Sequence, residues 1–140
     1  MRKGLQRRLT EEYRYAVSRM QQEGQAVRKL YYFSVFYSEA QRVLNSEWNR
    51  DLALIYGVTF HTYTQVNAAM QSPALMQLPM DWAAVYDKLT VAASDLTSYL
   101  ERSDNDGSEE LREILGRLAE IAYVVSGNGI YLHGRGSIKL

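Results

Sequence analysis

Two histidines, sixteen carboxylates and no cysteine are the stock from which this chain could build a catalytic or metal centre. Without cysteine there are no disulfides, no thiol catalysis, no iron–sulfur clusters and no cysteine-based zinc sites. A di-iron bundle needs a Glu followed three residues later by His on one helix face. None of the ten glutamates has that partner. The zinc-protease pattern HExxH and the phosphate loop GxxxxGK[ST] are also missing. Gly127-Asn128-Gly129 and Gly134-Arg135-Gly136 follow the last helical pattern. They lack the strand-to-helix setting in which glycine loops hold phosphate.

Glu47 and Asp51 lie one helical turn apart and could share a metal with Glu39 or His61. Pairing with nearby arginines such as Arg50 on a solvated face is the simpler expectation for them. His61 falls mid-helix between Tyr56 and Tyr63, where a general base is conceivable. Its surroundings predict a partly buried structural histidine. An enzyme built on these groups would need a deep polar cleft lined by Glu47, Asp51 and His61. The sequence therefore predicts no catalytic residue, no metal and no cofactor.

The charged residues are more informative. The net charge is zero, yet residues 1–30 hold eight of the sixteen basic side chains and three of the sixteen acidic ones. Arg135 and Lys139 add positive charge near the end, so basic ends enclose an acidic middle. Arg7, Arg14, Gln21 and Arg28 follow one another at seven-residue steps, with Lys29 beside the line. At ~100° per residue they lie opposite the stripe Leu5–Leu9–Tyr13–Met20. Arg2, Lys3 and Arg8 add charge at the tip. Such a ridge can track a phosphate backbone without reading sequence, and the planar guanidinium fork suits phosphate oxygens. Arg2, Lys3, Arg7, Arg8, Arg14, Arg28 and Lys29 are thus candidate contacts to DNA or RNA. Glu11 and Glu12 interrupt the field; the alternative is a solvated helix face with ion pairs of its own.

Eleven tyrosines are many for 140 residues, and they crowd between positions 13 and 37. Tyrosine joins a large apolar body to a polar tip, which suits interfaces. Tyr31, Tyr32, Phe33, Phe36 and Tyr37 are candidate self-association residues of a homo-oligomer; the alternative is that they fill the core.

The elements that position these groups are helices. Leu5, Leu9, Tyr13, Ala16, Val17, Met20, Val27 and Tyr31 recur at three- and four-residue steps, with Gly24 either a close-packing point or a break. Residues 30–44 are apolar almost all round, as in a central helix or one half covered by a partner. Ser46 is the expected N-cap of the next helix, whose stripe runs Trp48, Leu52, Ile55, Tyr56, Thr59, Tyr63, Val66 and Met70. Pro73 and Pro79 bracket the long connection, and Asp81 caps the following helix. Ser103 to Gly107 reads as a turn, and Ser108, with Glu109 and Glu110 behind it, starts the last helix. Residues 127–140 read as an extended tail whose Ile130, Leu132, Ile138 and Leu140 could dock on a neighbouring subunit, fold back on the bundle or fray, and whose His133 could touch a partner.

The prediction is an all-α single domain: a four- or five-helix antiparallel bundle (30–126), a basic N-terminal helical arm (1–29) and an extended C-terminal tail (127–140). No signal peptide or membrane-spanning stretch is evident, so the expected location is the cytoplasm or a virion. In general plan, the basic residues Arg2, Lys3, Arg7, Arg8, Arg14 and Arg28 followed by a bundle from Leu30 to Val125 resemble the small helical coat proteins of filamentous viruses, especially archaeal ones. That resemblance rests on no motif. It implies a structural protein that self-assembles and wraps nucleic acid. The acidic middle departs from it, because such a coat is usually basic overall. A small helical adaptor that binds another protein is the alternative from a different class.

Overall fold

The computed structural model describes residues 1–72, 80–102 and 108–126. Among them are five α-helices and no strand: α1 (Lys3–Gln22), α2 (Ala26–Leu44), α3 (Arg50–Gln71), α4 (Trp82–Glu101) and α5 (Ser108–Val125). The expected turn at Ser103 to Gly107, the proline-bracketed connection and the tail with His133 lie outside the described residues.

Each helix buries one apolar stripe. Leu9, Tyr13, Ala16, Val17 and Met20 line the inner face of α1. Leu30, Phe33, Phe36, Ala40 and Val43 do so in α2. The neighbour relations close into a ring in the order α1–α2–α3–α5–α4. Successive helices alternate in direction, and five is odd, so one neighbouring pair must run parallel. That pair is α3 and α5. Thr62 Oγ1 marks it: its proton is shared between the Val58 carbonyl of its own helix (2.8 Å) and the Leu118 carbonyl of α5 (3.1 Å). The buried hydroxyls of Thr59, Thr90 and Thr97 are satisfied in the simpler way, by carbonyls one turn back.

Two expectations need correction and one open choice is settled. First, α1 is not an arm. It packs between α2 and α4 with its apolar stripe fully enclosed, so it is as much part of the core as any other helix. Second, Gly24 is a break. A Cβ built on it would meet nothing within 4 Å, which rules out close packing, while Glu23 and Gln25 are both extended. The break resets the helical phase, and Val27 and Tyr31 leave the apolar stripe: they are 60% and 66% exposed on α2. Third, Ser46 does not cap α3. Residues 45–47 still donate backbone hydrogen bonds to carbonyls of Gln41 and Val43 as the exit from α2. The cap is Asn49, whose Oδ1 accepts from the Leu52 amide at 3.0 Å. Trp48 therefore precedes the helix and stands 77% exposed rather than facing the core. Asp81 caps α4 as expected, accepting from the Ala84 amide at 3.0 Å. Each such cap stabilises its helix by about 1 kcal/mol.

Candidate interaction surfaces

The seven candidate nucleic-acid contacts divide into two groups. Arg2 and Arg14 are neutralised within the chain. Arg2 Nε lies 3.5 Å from Glu47 Oε2. The Arg14 guanidinium pairs with Glu101 of α4, with Nε donating to Oε2 at 3.4 Å, and also reaches Ser98 Oγ. Lys3, Arg7, Arg8, Arg28 and Lys29 have no ion pair among the described residues; all but the half-buried Lys29 are exposed. The seven-residue row is thus interrupted where Arg14 turns toward α4. Its ends remain open, Lys3 and Arg7 toward one end of the bundle and Arg28 and Lys29 toward the other.

The aromatic residues divide as well. Phe33 and Phe36 are fully buried and belong to the core, so neither can meet a partner. Phe36 packs 4.3 Å from the ring of Tyr13, whose hydroxyl donates to the Phe36 carbonyl at 2.6 Å. Burial, reinforced by the negative charge of Glu39, holds the Tyr13 phenol far above its ordinary range. Tyr31 faces outward. Tyr32, half-buried, links it to α1: its ring is 5.2 Å from Tyr31 and 6.4 Å from Tyr15, edge to face in both pairs. Tyr37 turns the other way, 5.1 Å from Phe60 and 5.3 Å from Tyr63 of α3, where Tyr56 stacks on Phe60. The nearly all-apolar α2 is explained by this: it touches α1 on one side, the core in the middle and α3 on the other.

Arg19 belongs to the first of these surfaces and is not legible as a site residue from sequence. Its guanidinium carbon lies 5.2 Å from the Tyr32 ring centre, and its Nε donates to the Tyr32 hydroxyl at 3.2 Å. That hydrogen bond is the main cause that raises its pKa further. Glu23, one turn on, receives Nη2 at 3.1 Å. The i, i+4 spacing of Arg19 and Glu23 is visible in the sequence; the approach of Tyr32 is not.

The carboxylates and His61 do not gather. Glu39 pairs with Arg42 at 2.6 Å; Glu47 takes an arginine as expected, though Arg2 rather than Arg50, and Asp51 has no ion pair among the described residues. Asp51 accepts from the Tyr99 hydroxyl at 3.4 Å. Burial first, then the Asp51 carboxylate, pushes the Tyr99 phenol up. Asp51 lines a cleft of about 640 Å³ where α1 and α3 begin and α4 ends, together with Lys3, Arg7, Asn49, Tyr99 and Glu101. Glu47 and His61 are not in its wall. His61 is exposed, not half-buried, and stands ten residues along α3 from Asp51, ~15 Å by helical rise. Among the described residues no three His, Asp or Glu side chains come together to hold a metal ion. No helix among them is long and apolar enough to cross a membrane. No known protein family, characterised protein or solved structure matches the chain.

Proposed function

We propose that the chain is a non-enzymatic structural protein, coat- or nucleoprotein-like, that self-assembles through the exposed tyrosine surface of α1 and α2 and holds a nucleic-acid backbone with cations of the same two helices. One observation carries the reading: Lys3, Arg7, Arg8, Arg28 and Lys29 have no carboxylate partner among the described residues, although seven carboxylates sit on α4 and α5. Unpaired cations on a rigid helix release counterions when they meet phosphates, which gives affinity without sequence preference. The helices are locked in a core, so binding has no backbone segment to order and only the cationic side chains lose freedom. A docking module for a partner protein is the second reading, favoured by the ring group of Tyr37, Tyr56, Tyr63 and the 43% exposed Phe60 between α2 and α3.

Size-exclusion chromatography at low and high salt, with and without DNA, separates the two. The structural reading expects large assemblies that bind DNA and fall apart as salt rises. A sharp monomer peak indifferent to DNA at both salts contradicts it and leaves the docking module.

A further inference from the structure

The charge of the bundle is divided between two edges of the ring. α1 and α2 hold eight cations against three carboxylates, whereas α4 and α5 hold three cations against seven carboxylates. Each edge also carries an apolar feature of its own. On the α1–α2 edge Tyr15, Val27 and Tyr31 are each more than half exposed, and the Tyr15 and Tyr31 rings both meet Tyr32 to form a pad. Arg8 and Arg28 are exposed on the same edge, with Glu11 and Glu12 one turn before Tyr15 on α1. On the α4–α5 edge lies a groove of about 330 Å³ whose apolar lining is Val91 and Ile121. Asp87 and Glu120 line it together with Lys88 and Arg117. Arg117 is already held by Asp95 at 2.8 Å and Glu113 at 3.0 Å, so the acidic groups dominate the neighbourhood.

From these features we infer that the groove is the docking site for the tyrosine pad of a second copy of this chain. Sign and level agree. A pad of exposed rings on a basic edge meets a groove on an acidic edge, the arrangement that steers encounter and fixes register. α1, α3 and α5 run one way and α2 and α4 the other. The pad, at the end of α1 and the start of α2, therefore lies in the same half of the bundle as Asp87–Val91 of α4 and Arg117–Ile121 of α5. Two copies standing side by side can engage without axial shift. Because the net charge of the chain is zero, successive copies add no repulsion to the growing assembly. Pad and groove are different surfaces, so the contact is head to tail and propagates into a ring or a filament. This inference rests on the self-assembly part of the reading above. It leaves Lys3 and Arg7, at the far end of α1, turned toward a polyanion.

Two variants and their mixture test it, all in low salt without nucleic acid. Tyr31→Asp with Val27→Asp spoils the pad; Val91→Arg with Glu120→Lys spoils the groove. All four positions are exposed, and circular dichroism melting confirms that each variant is folded. Sedimentation is expected to show assemblies of the natural chain and at least tenfold weaker association of each variant alone. The equimolar mixture is expected to give a particle of twice the 16.1 kDa chain mass and nothing longer, because each variant keeps the surface the other lacks. A folded variant that assembles like the natural chain overturns the pad-to-groove contact while self-assembly stands. A mixture that stays monomeric also overturns it; a groove variant that still dimerises alone while the pad variant does not overturns it too and points to a pad-to-pad contact. A natural chain that is monomeric at every concentration overturns self-assembly itself.

Discussion

Phe36→Ala is expected to lower stability by about 3–5 kcal/mol, whereas Tyr31→Ala, five residues earlier on the same helix, changes it by no more than about 0.5 kcal/mol. Phe36 is fully enclosed, packs on Tyr13 and lies 5.6 Å from Phe33, so truncation leaves a cavity in the middle of the ring. It also removes the aromatic pair with Tyr13, whose hydroxyl stays tied to the Phe36 carbonyl. Tyr31 has two thirds of its surface in solvent and meets only the edge of Tyr32. Urea unfolding of both variants checks the contrast. The account expects association to follow the opposite order: Tyr31→Ala weakens it, and Phe36→Ala acts only through the fold. Equal stability losses would mean that α2 is not oriented as described.

The second large effect comes with alkali. Tyr13 and Tyr86 are buried, and burial raises both phenols above their ordinary value of 10. In the unfolded chain they release their protons near pH 10; in the folded chain they keep them. Above that pH the folded state binds more protons, so stability falls as pH rises. Their contribution is complete below about pH 10 and lost at about 1.4 kcal/mol per pH unit for each tyrosine, about 2.7 for the two together. Urea midpoints taken from neutral pH up to about pH 12 should show this decline, and phenolate absorbance of these two residues should rise only with unfolding. Burial raises Tyr37 and Tyr99 as well, so they add to the decline, and Tyr13→Phe should make the slope shallower by about 1.4 kcal/mol per pH unit. At neutral pH it should cost about 0.5–1.5 kcal/mol, the worth of one hydrogen bond. Titration of every tyrosine near pH 10 in a chain that stays folded would contradict the burial of both.

How far the sequence reaches is clear from particular residues. The all-helical bundle is legible because apolar residues at three- and four-residue steps have one sterically sensible reading, and Asp81 announces its helix by a cap that needs only local geometry. Gly24 is ambiguous from sequence because a glycine serves close packing and chain breaking equally well. Its neighbours' extended backbone decides the matter. Ser46 and Asn49 are both good caps, and the choice depends on how long α2 holds the backbone amides of residues 45–47. The faces of α2 are not legible at all. When a helix is apolar nearly all round, periodicity cannot say that Tyr32 turns to α1, Phe36 to the core and Tyr37 to α3. Ion pairs between distant segments are equally hidden: nothing in the row of arginines marks Arg14 as the partner of Glu101, or Arg2 as that of Glu47. The burial of α1 is written in its own stripe, although its charge reads as that of an arm.

The unneutralised cations of α1 and α2 are the claim on which the function depends, and the salt dependence of DNA affinity measures them directly. Fluorescence anisotropy of a labelled duplex, repeated across a range of salt, gives the slope of log affinity against log salt. The account predicts a steep negative slope for the natural chain. With Lys3→Gln and Arg7→Gln together, both far from the tyrosine pad, the slope should become shallower by about 0.9 for each phosphate left without its cation. An affinity independent of salt, or a slope that the double substitution leaves unchanged, would contradict it.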